Sequence, residues 1–184
     1  MVENSIGWAI GKLENLGLSP AHRLELACKY SIPGWLPGAI QALISSPLAA
    51  ISQEDMSRLG LRVYSIIAKA HEMIECERKT IAAIPPGLSL DPDPDCPVNE
   101  HQHCRDVWIR FWWQKVARQL LHPTQPLPLD ALIDYIATQA HPDGLKGICR
   151  ERYVGEIIES GGLDTEGRII NGATIAIEAY FATL

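Results

Sequence analysis

The stretch CPVNEHQHCRDVWIRFWWQKVARQLLH, residues 96–122, decides the fold, because it predicts a long helix that is apolar on more than one side. Its apolar residues recur at steps of three and four, as they do along an amphipathic helix. Trp108 and Trp112 lie one turn apart, and Trp113 joins Val116 on a neighbouring stripe. A helix that is apolar on two faces belongs in the middle of a bundle. We therefore expect these tryptophans to pack in a core.

Helical patterns also fill most of the chain on either side of this stretch. Ser19 before Pro20 marks a helix start. Ser52 opens a further helix with a capping-box pattern, and Gly60 closes it. The sequence shows neither an alternating strand pattern nor an internal repeat. It therefore predicts an all-α fold, a helical bundle of about seven or eight helices in two packed halves.

The clearest internal break is the segment PPGLSLDPDPDCPVNE at 85–100, whose prolines and aspartates favour turns and extended backbone. It divides the chain into an N-terminal helical half at 1–84 and a C-terminal helical half at 99–184. The acidic, proline-rich linker between them covers 85–98. We expect Asn99 to cap the first helix of the second half.

Composition excludes several classes of protein. The chain has 184 residues, 47% of them hydrophobic and 21% charged, which is typical of a globular domain. Its net charge of −6 and the lack of basic clusters argue against a nucleic-acid partner. No apolar run approaches the ~18 residues that span a bilayer, and the N-terminus lacks the pattern of a signal peptide. An odd number of cysteines, five, favours a reducing intracellular setting, cytoplasmic or nuclear.

Three stretches of the chain resemble a known group of proteins. They are RLELACKYSIPGWLPGAIQALISSPLAAISQEDMSRLGLRVYSIIAKAHEMIE at 23–75, the tryptophan-rich helix, and GLKGICRERYVGEIIESGGLDTEGRII at 144–170. All three are similar to the region that follows the BTB/POZ domain in basidiomycete fungal BTB-domain proteins. The sequence departs at His71, where the group's helix ends in arginine-glutamate. The given sequence has only about eighteen residues where the BTB domain would precede Ser19, so we expect either a fragment or a stand-alone relative of this group.

The shared motifs are packing motifs, so the resemblance implies a helical architecture and a role in protein interaction rather than a reaction. Without the BTB domain, we expect the apolar residues near the N-terminus to mediate self-association or to bind a protein partner. These are Ile6, Ala9, Ile10, Leu13 and Leu16.

One constellation of residues could carry chemistry. His101 and Cys104 are three apart and share a helix face. Cys96 precedes the helix and can fold back over its first turn, while Cys149 begins a later helix. Thiolate and imidazole ligands suit zinc. We expect these four side chains to converge on a structural zinc ion, since four protein ligands leave no position for a catalytic water.

Two other interpretations remain open. The cysteines can be ordinary small core residues. Alternatively, the chain can be a small metal- or thiol-dependent enzyme in which Cys104 acts with His101 or His103. Neither a nucleophile motif nor a glycine-rich oxyanion loop supports the enzyme. The leading hypothesis is a non-enzymatic, intracellular protein-interaction module with structural zinc, without a nucleic-acid or membrane partner.

Overall fold

The computed structural model describes residue 12, residues 16–86 and residues 95–183, and within these residues all regular structure is helical. The predicted all-α bundle is confirmed. Seven helices lie within residues 16–86 and 95–183: α1 (Pro20–Lys29), α2 (Leu36–Ser45), α3 (Gln53–Ala83), α4 (Val98–Phe111, continued by a π-helical turn at Trp112–Val116 and by Ala117–Leu120), α5 (Leu132–Thr138), α6 (Gly147–Glu159) and α7 (Thr165–Phe181). Short 3₁₀ turns lie at Pro33–Trp35, Leu48–Ala50, Leu129–Ala131 and Gly162–Asp164.

The helix caps and the helix break that the sequence predicted are present in the structure. The Ser19 hydroxyl accepts a hydrogen bond from the backbone N–H of His22 at 3.2 Å, which caps α1. The Ser52 hydroxyl accepts one from the backbone N–H of Asp55 at 3.0 Å and caps α3. Gly60 has φ 69° and ψ 161° and interrupts α3. Only glycine adopts this conformation without steric cost.

The beginning of α4 differs from the prediction. The structure places Pro97 at the N-cap position and begins α4 at Val98, so Asn99 lies inside the helix. The carbonyl of Pro97 accepts the backbone N–H groups of Glu100 at 2.8 Å and His101 at 3.0 Å, and these bonds close the first turn. A proline's fixed φ suits the entry to a helix. The helix therefore begins at Val98, before the residue that was predicted to be its N-cap, Asn99.

Packing groups the chain into two compact units that differ from the halves predicted at 1–84 and 99–184. Unit 1 comprises 1–71 and 170–184, and unit 2 comprises 72–169. The division falls inside α3 and α7 rather than at the proline-rich segment. It does so because the last turn of α3 carries buried Ala82, which belongs to the core of unit 2.

The two units have different cores. The buried apolar residues of unit 1 are Ala21, Leu24, Ala27, Ala39, Ile40, Leu43, Ile44, Ile51, Leu59, Val63, Ile67, Ala70, Ala173 and Ile177. The core of unit 2 comprises Ala82, Cys96, Cys104, Val107, Trp108, Phe111, Trp112, Val116, Ala117, Leu120, Leu129, Leu132, Ile136, Leu145, Cys149, Tyr153 and Ile157.

Helix α4 runs through the core of unit 2. Trp108 and Trp112 are both fully buried, as the sequence predicted. The indole N–H of Trp112 donates to the carbonyl of Ala82 at 3.0 Å, and that of Trp108 donates to the carbonyl of Pro86 at 2.8 Å. Carbonyls at a helix end lack partners within the helix. The two indoles therefore contribute apolar area and also hydrogen-bond the end of α3.

Trp113 contradicts the expectation that all three tryptophans pack inside, because it is 45% exposed. Trp113 lies five residues after Trp108, about 140° further around the helix, so it faces away from the buried stripe. The π-helical turn follows, in which the N–H of Ala117 bonds to the carbonyl of Trp112, five residues earlier. This turn inserts one extra residue and moves the buried stripe onto Val116. In an uninterrupted α-helix, the buried face would instead continue through Lys115.

Two further expectations concern the N-terminus and membranes. The segment proposed for self-association lies outside the described residues, apart from Leu16, which is 65% exposed. In the part of the chain that the structure describes, every helix is too short or too polar to cross a bilayer.

Candidate metal centre

Three cysteines from separate segments of unit 2 meet in its core. Cys96 lies just before α4, Cys104 lies in the second turn of α4, and Cys149 lies in the first turn of α6. Their Sγ atoms are all within 4.8 Å of one another. The side chains are 2%, 1% and 1% exposed, so water has almost no access to the thiols. The cluster can hold a metal ion.

A different local feature of the backbone positions each of the three thiols in the cluster. Pro97, with φ −53°, fixes the turn by which Cys96 enters α4. Cys104 follows on the buried face of α4, one turn before Trp108. Cys149 is delivered by the loop 141–146.

This loop depends on Gly144, which has φ +84°. The Gly144 carbonyl lies 4.0 Å from Sγ of Cys104. A Cβ atom on Gly144 would approach Nε2 of His103 to 2.6 Å, which is closer than side chains tolerate. Glycine therefore allows the loop to pass closely over α4 and to hold Cys149 beside Cys104.

His101 reaches the cluster, whereas His103 does not. His101 is 8% exposed, and its Nδ1 lies 3.8 Å from Sγ of Cys149. It contacts the cluster through this one sulfur. His103, two residues on, is exposed and packs against Gly144. Of the four residues proposed from the sequence, three share one cluster and His101 adjoins it.

Burial governs the charge state of these thiols. Removal from water, and then hydrogen bonds with Cys96 and Cys104, raise the pKa of Cys149 to about 12. The pKa of Cys96 is also raised, chiefly by burial. Several thiolates crowded into an apolar core repel one another, so without a cation the neutral thiols are favoured. A bound metal ion reverses this preference, since it binds thiolates and releases their protons.

An ion pair lies at the edge of the cluster. Nζ of Lys146 lies 2.7 Å from a carboxylate oxygen of Glu100, the residue before His101. The pKa of Lys146 is raised, first by its hydrogen bond to Glu100 and also by the negative charge that Cys96 and Cys104 would carry as thiolates. The lysine is therefore close enough to stabilise an anionic cluster electrostatically.

Aromatic rings form the apolar side of the site. Tyr153 lies one turn beyond Cys149 on α6, and its ring stacks on Trp108 with centroids 5.1 Å apart. Its buried hydroxyl finds no hydrogen-bond partner among the described residues. Burial and then the charge of Cys149 raise the pKa of Tyr153 to about 12. The hydroxyl thus remains a neutral donor beside the thiols.

Sequence reasoning found the four candidate ligands but missed their supporting residues. The Asp-Gly pair at 143–144 signals a backbone with positive φ, and it could have indicated a tight loop before Cys149. No signal in the sequence marks Lys146 or Tyr153, because their importance arises from the packing of α6 on α4.

Comparison with known proteins finds no match to a protein-family model, to a curated protein sequence or to a solved structure. The resemblance to the region after the BTB domain of fungal proteins therefore stays a prediction.

Proposed function

We propose that this chain is a zinc-stabilised, non-enzymatic protein-interaction module, in which Cys96, His101, Cys104 and Cys149 bind one structural zinc ion. The observation that carries the proposal is the meeting of three buried thiols from three separate segments. Three buried thiols with their sulfurs within 4.8 Å of one another, and a histidine against one of them, match the ligand types and the grouping of a structural zinc site.

The donor set and its spacing suit zinc. Three sulfurs and one imidazole nitrogen form a Cys₃His site, a common structural zinc set, while calcium and magnesium prefer oxygen. Ligand atoms on a tetrahedral zinc ion lie roughly 3.5–3.8 Å apart, given bond lengths of about 2.0–2.3 Å. The Cys149 Sγ to His101 Nδ1 distance is 3.8 Å, and the sulfurs lie within 4.8 Å of one another. The three sulfurs would therefore need only a small contraction to bind zinc, whereas the His101 imidazole, which contacts the cluster at Cys149, would have to move towards the other two sulfurs.

The burial of the cluster favours a structural role. A catalytic zinc ion needs an open coordination position that water and substrate reach, whereas these thiols are at most 2% exposed. The same burial disfavours the alternative enzyme in which Cys104 attacks a substrate with His101 or His103. Cys104 is 1% exposed and faces two other thiols.

Such a zinc ion would fix parts of the chain that apolar packing holds weakly. It would join the segment before α4 to the first turns of α4 and α6. Closing loops of this kind costs entropy that a metal crosslink offsets. The reduced thiols that the site needs agree with an intracellular location, which is part of this proposal.

Metal analysis of untagged protein tests the proposal. We expect about one zinc ion per chain in the wild type, as structural sites bind tightly, and little zinc in Cys104→Ser. Cys76→Ser is the matched control, because Cys76 is exposed and lies outside the cluster. Cobalt substitution should add the thiolate charge-transfer absorption and intense visible bands of a tetrahedral site.

Three outcomes would contradict the zinc site. The wild type could lack metal after purification and fail to bind zinc or cobalt in titration. Metal content could be unchanged in Cys104→Ser. Finally, mass spectrometry under native redox conditions could find two of the three cysteines joined as a disulfide, which would identify the cluster as a redox site.

The interaction role has its own test. We propose that the apolar residues near the N-terminus contribute to self-association or to partner binding. Sedimentation of the full chain should then show a concentration-dependent dimer that is lost when residues 1–17 are deleted. A monomer at high concentration, with no change on deletion, would contradict this part of the proposal.

A further inference from the structure

The end of α4, α5 and the turn between them enclose an open groove of about 750 Å³ on unit 2. Its volume lies within the range of sites that bind small ligands and short peptide segments. Trp113 and Leu121 line it, and each is 45% exposed. Large apolar side chains that line a concavity and remain exposed are candidates for contact with a partner.

The charge of the groove is opposite to that of the whole chain. Lys115 and Arg118 line it, whereas the net charge of the chain is −6. The described residues that line the groove include no carboxylate, and the nearest acidic residues along the chain, Asp130 and Asp134, are not among them. A cationic groove on an acidic protein favours an anionic partner.

His122 adds a donor with a fixed orientation. Its Nδ1 accepts the backbone N–H of Gln125 at 3.1 Å. The proton of the neutral ring must therefore lie on Nε2, which makes that nitrogen a hydrogen-bond donor. Because His122 lines the groove, it joins Lys115 and Arg118 in a set of donors without a competing acidic acceptor.

Three glutamines indicate which class of anion fits. Gln114, Gln119 and Gln139 line the groove. A glutamine amide offers both donors and an acceptor, so it pairs with the alternating N–H and C=O groups of an extended peptide. Two permanent cations are too few for the extended electrostatic contact that nucleic acids require. The lining therefore suits a short peptide better than RNA.

The π-helical turn shapes this surface. Without it, the buried stripe of α4 would continue through Lys115, as described above, and the lysine would point into the core. The Tyr135 hydroxyl donates to the carbonyl of Lys115 at 3.4 Å, which helps to hold the turn from the opposite wall of the groove. Insertions of this kind are frequent at functional sites. Here the insertion keeps Lys115 and Arg118 on the exposed side of α4.

We propose that this groove binds an acidic peptide segment of a partner protein, with one bulky apolar side chain against Trp113 and Leu121 and flanking carboxylates on Lys115 and Arg118. This deepens the interaction role proposed above by naming the partner's chemistry. It does not depend on zinc or on residues 1–17.

Selection from a bead-displayed library of random nine-residue peptides tests the proposal, with the full-length chain as bait. We expect enrichment of peptides with at least two carboxylates next to a large apolar residue. A labelled, enriched peptide should bind the variant Lys115→Glu/Arg118→Glu at least about tenfold more weakly, since hydrogen bonds to charged groups carry that much affinity. The matched control is Lys79→Glu/Arg168→Glu, which changes net charge equally outside the groove and should keep the affinity.

Several results would overturn the proposal. The library could yield no enrichment relative to the Lys115→Glu/Arg118→Glu bait. Neutral or basic peptides could be enriched, or acidic peptides whose binding survives that double substitution; these outcomes reject the groove but leave a general interaction role intact. A uridine octanucleotide that binds more tightly than any selected peptide, and loses binding in the same variant, would identify the groove as a nucleic-acid site.

Discussion

Units 1 and 2 reach a buried core by different chemistry. The core of unit 1 consists of aliphatic side chains, and its cysteine, Cys28, is only half-buried at the edge. The core of unit 2 combines two tryptophans, a phenylalanine and a tyrosine with three thiols. Aliphatic burial stabilises a fold under any redox or metal condition. Clustered thiols do not, so the two units should respond differently when metal is removed.

Among the ion pairs of the described residues, the most buried one lies in unit 2. In unit 1, Arg58 pairs with Glu25 and Glu54 near the surface, where such pairs contribute little. In unit 2, Arg78 pairs with Glu166, and the two side chains are 15% and 11% exposed. Unit 2 thus buries more polar groups that require specific partners.

Metal removal should have the largest effect on stability, and it should destabilise unit 2 but not unit 1. Chelation should destabilise unit 2 by several kcal/mol, less than the roughly 10–16 kcal/mol with which zinc-finger peptides bind the ion, because the aromatic core remains. Hydrogen exchange measured by mass spectrometry should show α4 and α6 losing protection while α1 and α2 keep theirs. Equal loss in both units, or no loss in either, would contradict the difference drawn between them.

Trp112→Ala should destabilise unit 2 by about 3–5 kcal/mol, the usual cost of removing a buried aromatic side chain. The substitution also leaves the carbonyl of Ala82 without its indole partner. Trp113→Ala is the matched control, since the side chain is 45% exposed and its loss should change stability by less than about 1 kcal/mol. Urea unfolding measures both. Similar losses for the two variants would show that the buried stripe is assigned wrongly.

Two glycine substitutions should act in opposite directions in the two units. Gly60→Ala should destabilise unit 1 by about 1–2 kcal/mol, because φ at Gly60 is +69°. Gly155→Ala should stabilise unit 2 by about 0.5–1 kcal/mol, because Gly155 lies inside α6 and a Cβ there would meet open space. Thermal unfolding of both variants tests this, and a gain for Gly60→Ala would be inconsistent with the break in α3.

Tyr153→Phe should have the smallest effect. The Tyr153 hydroxyl has no partner among the described residues, so its removal should change the stability of the metal-free protein by less than about 1 kcal/mol. A larger loss with zinc bound than without it would mean that the hydroxyl donates to a thiolate sulfur. Urea unfolding with and without zinc distinguishes these cases.

Much of the fold could be predicted because its signals are local. The cap at Ser19, the break at Gly60 and the apolar steps through Trp108 and Trp112 depend on neighbours within a few residues. Trp113 was predicted to share a stripe with Val116, but the π-helical turn places Val116 on the buried side and leaves Trp113 exposed, and no local signal marks this turn. The units could not be predicted either, since the division falls inside α3 and α7 and nothing in the sequences of these helices marks it.

In the candidate site, too, local features could be predicted from the sequence and long-range ones could not. The shared face of His101 and Cys104 follows from helical spacing. The approach of Cys149 depends on how α6 packs on α4 and on the loop around Gly144, which are long-range features. The supporting roles of Lys146 and Tyr153 depend on the same packing and became visible only in the structure.

X-ray absorption spectroscopy at the zinc edge of the untagged, zinc-bound protein tests the central claim most directly. We predict three sulfur ligands at about 2.3 Å and one nitrogen ligand at about 2.0 Å, with one sulfur fewer in Cys149→Ser. A first shell of oxygen and nitrogen alone, or the same spectrum in the wild type and Cys149→Ser, would show that the metal binds elsewhere. In that case the three cysteines are only part of the core.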